Sequence, residues 1–465
     1  HKPGVGGSTP PPATILVKIV IKKILQKIFK TFFNIFFLKI YGKIEKSIST
    51  SGDKRIQVKI INIEKDLNYK IYKIMNCRMY TDRIHDTAVI LENKIIEGPS
   101  FQLRNNNNSN IRDNIVFKKG TPRKLRNLNG IVLSLLTGGG GNDNYWHWLY
   151  DVLPRLELCE KSLDLELVDY FLLPNLKKKF QIETLNELKI PQHKFLSSEK
   201  FRHIKTKQLI VTDHPYILTN NAHLDAQKVP KWIIQWLRKK FLSNSKKLDK
   251  NYPKRIYIDR DDSTSNVANF RSLINENEIK EFLEKKDFTI VRLNDLNFVD
   301  QVQYFNNADY IIGLHGAGFA NISFCRAGTK IMEFRMEKAG TVIENLAKNT
   351  ALRLSGVPEL RRSGAPAENR KIGKENFQSI TKFLEDSTLP YSEIIFHDEV
   401  LRETLERGIV RLNKERLIAE DAGGLIVASS ISHAKKIQYL LSQLGEYSKV
   451  VTYQESEPER LIQNF

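Results

Sequence analysis

Between Arg255 and Phe334 the apolar and polar positions switch between two periods. Arg255-Ile-Tyr-Ile-Asp259 is a β-branched and aromatic run that reads as a strand. Asn275-Glu-Asn-Glu-Ile-Lys-Glu-Phe-Leu-Glu284 has helical spacing, with acidic residues in the first turns where the helix dipole favours them. Phe288–Leu293 reads as the next strand and Phe298–Phe305 as an amphipathic helix; Asp309–Leu314 and Lys330–Phe334 are further strands. Strand, helix, strand, helix, strand, loop, helix, strand predicts a parallel, doubly wound α/β lobe. Such sheets bind ligands beyond the carboxyl ends of their strands. Arg260, His315 and Glu333 all fall at or near such ends.

The loop after Asp309–Leu314 is His315-Gly316-Ala317-Gly318, followed by Phe319-Ala320-Asn321. Gly316 and Gly318 can take φ > 0 and leave no side chain in a ligand's way. A helix opening over Phe319–Cys325 points its unpaired N–H groups back at the turn, a geometry suited to phosphate or diphosphate. His315 stands at the mouth as a further donor. A plain turn between strand and helix is the alternative.

A second constellation lies upstream. On a helix predicted from Asn144 to Val152, residues Asn144, His147 and Asp151 share one face, with Asp151 four residues after His147. A carboxylate there can orient an imidazole and raise its basicity. The pair reads as a general base, His147, with Asp151 as its orienter. Asp151 acting directly is the next choice, and a satisfied histidine in an aromatic core beside Trp146 and Trp148 the plain one. Pro154 is expected to end the helix. The glycines at 138–141 read as a mobile loop over a cleft or a hinge between lobes.

Composition bounds the class. A chain of 465 residues holds two or three domains. Cys77, Cys159 and Cys325 are far apart and odd in number, so they give neither a disulfide framework nor zinc spacing. The net charge of +20 suits anionic membranes, nucleic acid or anionic substrates, although joint enrichment in Lys, Ile and Asn accounts for most of it. Asn105–Asn110 is a polar tract expected on a surface loop. Ala13–Tyr41 is apolar but interrupted by Lys18, Lys22, Lys23, Lys27 and Lys30, which suits a basic, aromatic helix lying in a membrane interface better than a spanning one. The cationic start of a signal-anchor and a helix packed on the core are the alternatives. Peripheral membrane association is therefore the expected localisation, on the cytoplasmic side in a bacterium. The segment before it, rich in Gly, Pro and Ser and opening on His1, reads as a linker or a non-native translation.

The run Arg260…Arg271…Asn275-Glu276…Ala308…His315-Gly316-Ala317-Gly318…Asn321…Phe324…Glu333 resembles the catalytic domain of glycosyltransferase family 61. The segment Asn144-Tyr-Trp-His147-Trp-Leu-Tyr-Asp151-Val-Leu-Pro154-Arg155-Leu matches the family's other hallmark, and the likeness covers about residues 50–350. It implies inverting transfer of a sugar from a nucleotide-sugar donor to a glycan, lipid or protein hydroxyl, on a GT-B-like pair of Rossmann-type lobes, with no cofactor and no obligatory metal. Arg260 and Arg271 then offer charged forks to the leaving diphosphate. The backbone of His315, Gly316, Ala317 and Gly318 adds N–H donors. Asn275 and Glu276 hold ribose or base hydroxyls, or cap the helix that follows. Glu333 contacts the ribose, or pairs with Arg335. Asp259-Arg260-Asp261-Asp262 contains an Asp-x-Asp spacing that holds a cation in metal-dependent transferases; at this position a solvated turn is expected.

Beyond the Pro and Gly cluster from Gly356 to Pro366, the strand and helix around Asp421–Ala434 resemble the first part of the C-terminal lobe of superfamily 2 helicases. No G-x-x-x-x-G-K-[ST] loop accompanies it, so ATP hydrolysis is not expected, though weak nucleic-acid contact through residues 370–465 is. The domain expectation is a linker and membrane-interface segment at 1–45, an acceptor-side lobe at 46–250, a donor lobe at 251–356 and a partial helicase-like α/β module at 366–465. The join reads as pieces of two genes, with the donor lobe clipped. The competing function is a helicase-derived nucleic-acid module or an inactive fusion.

Overall fold

A computed structural model describes residues 26, 29, 31–64, 67–83, 86–100, 110–136, 144–219, 222–242, 251–260, 273, 275–336, 340–350, 352–360, 374–385, 405–406, 409–410, 412–413, 431–446 and 448. Arg271, Asp261, Asp262, the glycines at 138–141, Asn105, the expected strand around 421–430, and nearly all of residues 1–30 lie outside this set. The chain divides into two compact units between Trp236 and Leu237.

The first unit is built on a mixed sheet. Its strands are β1 (Lys46–Ile48), β2 (Ile56–Glu64), β3 (Leu67–Arg83), β4 (Asp86–Leu91), β5 (Lys94–Ile96), β6 (Arg126–Ser134), β7 (Tyr170–Leu173), β8 (Phe195–Ser197) and β9 (His203–Thr212). The order is β1-β5-β4-β3-β9-β6-β7-β8, with β2 paired to β3. β3 meets β2, β4 and β9 antiparallel, whereas β9, β6, β7 and β8 run parallel to one another. The parallel half carries apolar runs such as Leu209-Ile-Val211, as strands covered on both faces require. Val132, Leu172, Leu209 and Val211 share one core cluster with Ile74 and Met79 of β3. The helix Arg155–Glu160 buries Leu156, Leu158 and Cys159.

The second unit is the parallel lobe. β10 (Arg255–Asp259), β11 (Thr289–Arg292), β12 (Tyr310–Leu314), β13 (Lys330–Met336) and β14 (Arg353–Leu360) lie in the order β11-β10-β12-β13-β14, each pair parallel. Helices Glu276–Glu284 and Phe298–Asn307 stand where the periodicity places them. The fold class is α/β.

Two features depart from expectation, both at the C-terminal side. Arg353–Leu360 is a strand rather than the start of a boundary. Pro358 is tolerated because β14 is an edge strand whose register with β13 shifts beside it. The helix Lys374–Glu385 then packs on the same sheet: Ile380 and Phe383 are buried in one cluster with Tyr257, Leu283, Ile312 and Met332. Phe377 meets Phe282 edge-on at 5.1 Å and Phe383 meets Tyr310 at 6.0 Å. The lobe therefore continues past residue 356 and is not clipped there. Residues 374–385, expected to open a helicase-like module, close the hydrophobic face of the parallel sheet.

Near the N-terminus, residues 31–41 form a helix. Among the described residues, no helix is long and apolar enough to cross a membrane.

Candidate functional site

In the first unit, Asn144 caps a helix by accepting hydrogen bonds from the N–H groups of Trp146 (2.9 Å) and His147 (3.4 Å). After Tyr145–His147 the chain widens into a π-turn, Trp148–Val152, closed by the Leu153 N–H on the Trp148 carbonyl at 3.1 Å. Such turns recur at functional sites. Pro154 does not end the helical path. It keeps helical torsions and precedes the helix Arg155–Glu160, because the π-turn has already broken the hydrogen-bond series its missing N–H would interrupt.

His147 Nδ1 lies 2.8 Å from Asp151 Oδ2. A carboxylate only accepts, so Nδ1 carries the proton and Nε2 presents its lone pair. The His147 side chain is 32% exposed and that of Asp151 0%, so only the imidazole reaches solvent. Burial pulls the His147 pKa down, but the charge and hydrogen bond of Asp151 outweigh it and leave it raised. Burial pushes Asp151 up, yet His147 and His214 hold it well below the usual carboxylate range.

The loop leaving β9 completes this arrangement. Tyr216 donates its hydroxyl to Asp151 Oδ1 at 2.5 Å, and His214 Nε2 faces Oδ2 at 3.5 Å. Buried Arg155 donates from Nε to the Asp151 carbonyl (2.9 Å) and from Nη1 to the Thr212 carbonyl (3.1 Å), tying helix to strand end. Asp213 accepts from Tyr72 Oη (2.9 Å) and the Lys70 N–H (2.7 Å), which fixes the loop to β3. Sequence reasoning missed His214 and Tyr216. The available signal was Asp213-His-Pro-Tyr216 directly after the apolar run Leu209-Ile-Val211.

The second unit gathers its candidates at the carboxyl edge of the parallel sheet. The His315 N–H is taken by the Phe334 carbonyl at 3.0 Å, so it is not a ligand donor. His315 Nδ1 bonds Glu333 Oε1, and Arg260 Nη1 donates to the His315 carbonyl. Glu333 is thus paired with His315, while Arg335 lies 3.8 Å from Glu344. Ala317–Phe324 is a 3-10 helix of eight residues beginning beyond Gly316. The N–H groups of Ala317 and Gly318 stand in its first turn, where a helix supplies no partner of its own.

Neither loop glycine lies in the left-handed region of φ. Gly316 is extended at φ 166°, and Gly318 is not among the residues of positive φ. The constraint at Gly316 is steric instead: a Cβ there would stand 2.6 Å from Arg260 Cζ, whereas one at Gly318 would meet Leu293 Cδ1 at 2.8 Å, the end of a side chain that can turn away.

The remaining candidates are turned to local partners. Asn275 Nδ2 donates to Glu278 Oε2 at 3.1 Å without capping the helix backbone, and Glu276 accepts from Tyr257 Oη of β10 at 3.0 Å. Asn321 is fully buried and donates to Gln301 Oε1 at 3.1 Å. Asp259 is 3% exposed and engaged by Lys280 Nζ (2.9 Å) and Arg292 Nε (3.2 Å), which occupies the first carboxylate of the Asp-x-Asp spacing. Among the described residues, no group of three or more His, Cys, Asp or Glu is placed to hold a metal ion.

The His147–Asp151 pair of the first unit and the His315–Glu333 pair of the second thus stand in chain order with an arginine-backed glycine loop. Residues 145–332 match the family model Glycosyltransferase 61. The glycosyltransferase 61 match opens beside His147, contains Arg260 and the His315–Gly318 loop, and stops one residue before Glu333. It implies glycosyltransferase activity, with donor and acceptor substrates. A search of curated proteins gave no match. The match does not reach residues 370–465, and nothing shows a helicase-like fragment there.

Proposed function

We propose that the protein is an inverting glycosyltransferase that moves a sugar from a nucleotide-sugar donor to a hydroxyl on a glycan, lipid or protein, with no obligatory metal. The observation that carries this reading is the carboxyl edge of the five-stranded sheet. There Arg260, the His315–Glu333 pair and the first turn of Ala317–Phe324 stand together in one unit. Charge grows on the diphosphate as the anomeric C–O bond breaks, and preorganised donors aimed at that charge are the strongest electrostatic aid to the step. The acceptor oxygen bonds to the anomeric carbon from the face opposite the departing diphosphate, which inverts that centre. The electron pair of the broken bond leaves on the diphosphate. The hydroxyl proton goes to His147 Nε2, the ring nitrogen that the hydrogen bond to Asp151 leaves as an acceptor. Asp151 is a poor candidate for the direct base, since it is fully buried and both its oxygens are hydrogen-bonded.

The test is binding of a panel of nucleotide sugars to the full chain. The full chain is needed because Lys374–Glu385 belongs to the sheet core. One donor class should bind in the range of about 1 μM to 1 mM. Arg260→Ala and His315→Ala should each lose that binding while keeping the fold. A folded chain that binds none of the panel would overturn the reading. Transfer is expected to persist in excess chelator; complete loss, restored by a divalent cation, would assign a metal.

A specific observation favours peripheral membrane attachment. The helix at 31–41 exposes Phe32 (61%), Ile35 (53%), Phe36 (47%) and Ile40 (53%), and no Asp or Glu occurs before Glu45. An aromatic helix in a wholly cationic segment suits an anionic bilayer surface. The full chain should float with vesicles containing phosphatidylglycerol and should detach as salt rises. The double variant Phe32→Ser, Phe36→Ser should bind about tenfold more weakly or less. Equal binding by the double variant would remove this reading.

A further inference from the structure

The His147–Asp151 pair does not stand alone. Asp151 is sealed from solvent, and its two oxygens meet three groups from two elements. Oδ2 takes the His147 Nδ1 proton at 2.8 Å and faces His214 Nε2 at 3.5 Å, while Oδ1 takes the Tyr216 hydroxyl at 2.5 Å. His214 has a defined tautomer. The backbone N–H groups of Tyr216 (3.3 Å) and Ile217 (3.0 Å) both point at its Nδ1, which must therefore be unprotonated. The ring proton sits on Nε2, turned toward Asp151. Burial lowers the His214 pKa and raises that of Tyr216, so both remain neutral. The loop that bears them is held independently: Tyr69 donates its hydroxyl to the Pro215 carbonyl at 2.9 Å and in turn accepts from Trp232 Nε1 at 2.8 Å.

We infer that Tyr216, assisted by His214, is a positioning residue that fixes the Asp151 carboxylate and thereby sets the orientation and basicity of the His147 imidazole. The inference rests on the reading of His147 as the base only where it predicts turnover. Each donor on the carboxylate takes a share of its charge. Removing the Tyr216 hydroxyl concentrates that charge on His147 and frees the carboxylate to rotate. Arg155, the other charged group against Asp151, binds its backbone carbonyl and is unaltered by the change.

The experiment follows the His147 imidazole by NMR titration in the intact chain and, in parallel, the pH dependence of kcat/KM. In Tyr216→Phe the His147 pKa should rise by about half a unit to one unit, since each unit reflects a change in differential interaction between its two protonation states. The acid limb of the rate profile should move up with it. The kcat should fall by up to about 10²-fold, the scale of a misplaced reacting group, while the donor KM stays unchanged. His214→Leu should shift the imidazole in the same direction. A shifted His147 with unaltered turnover would keep the positioning role and remove His147 as the base. A folded Tyr216→Phe chain with an unmoved His147 pKa would overturn the inference. Failure of both variants to fold would overturn it too, since the network would then be holding the fold rather than tuning the imidazole.

Discussion

A His147→Ala chain should bind its nucleotide sugar as the parent does and transfer the sugar about 10²- to 10⁴-fold more slowly, the usual contribution of a positioned general base. Two observations set this expectation. Nδ1 is committed to Asp151, leaving Nε2 as the acceptor, and the ring is the one member of the pair that reaches solvent. The pH dependence has a definite sign. A base works unprotonated, so activity climbs as pH rises through the His147 pKa. Asp151 raises that pKa, so the acid limb should lie above the ordinary histidine value of about 6.5. Asp151→Asn should weaken the interaction that raises it and shift the limb downward. Stability has the opposite dependence at this residue. The raised His147 contributes most below its unfolded pKa and loses that contribution as pH rises through the folded one. The depressed Asp151 contributes above about pH 4 and loses it on acidification. Unchanged turnover in His147→Ala, measured at saturating donor, would remove the base from this position.

Gly316→Ala should weaken nucleotide-sugar binding about 10- to 100-fold with the fold intact, the scale of one displaced hydrogen bond between charged groups. The backbone at φ 166° accepts alanine without strain. The methyl, however, enters the space of the Arg260 guanidinium, which crosses this glycine to reach the His315 carbonyl. Gly318→Ala is the matched control. Its methyl meets Leu293 Cδ1 at 2.8 Å, the far end of a flexible side chain that can turn away. Isothermal titration of both variants against the same donor separates the two. Equal affinities would mean that Arg260 does not bear on the donor.

The parallel lobe was legible because every strand of its centre is a short apolar run, and each connecting helix between Glu276 and Asn307 shows one apolar face. β14 was not, because Gly356 and Pro358 look like a break unless the strand is known to lie at an edge. The mixed sheet of the first unit escaped notice for a different reason. β3 runs through Lys70, Lys73, Asn76 and Arg78, whose polarity hides the alternate buried positions Tyr69, Ile71 and Tyr80. The His147–Asp151 contact is local, four residues apart on one helix, and could be anticipated. The contact of Tyr216 with Asp151 spans 65 residues and depends on the pairing of β9 with β3, which no local pattern encodes. At the glycine loop the sequence offers φ freedom and the lack of a side chain as reasons for glycine, and at Gly316 the structure shows the second, a close approach of Arg260.

The π-turn at Trp148–Val152 fixes a helical phase. One residue more than an α-helix would use is spent between the face that carries His147 and the segment that carries Arg155. Each residue advances an α-helix by about 100°. Deleting Val152 would therefore swing Arg155 about 100° around the axis, away from the Thr212 carbonyl, without altering a side chain of the pair itself. The spacing between His147 and Arg155 is thus a counted length. A single-codon deletion there should be as damaging as the loss of a named side chain, and a compensating insertion before Arg155 should restore what it took.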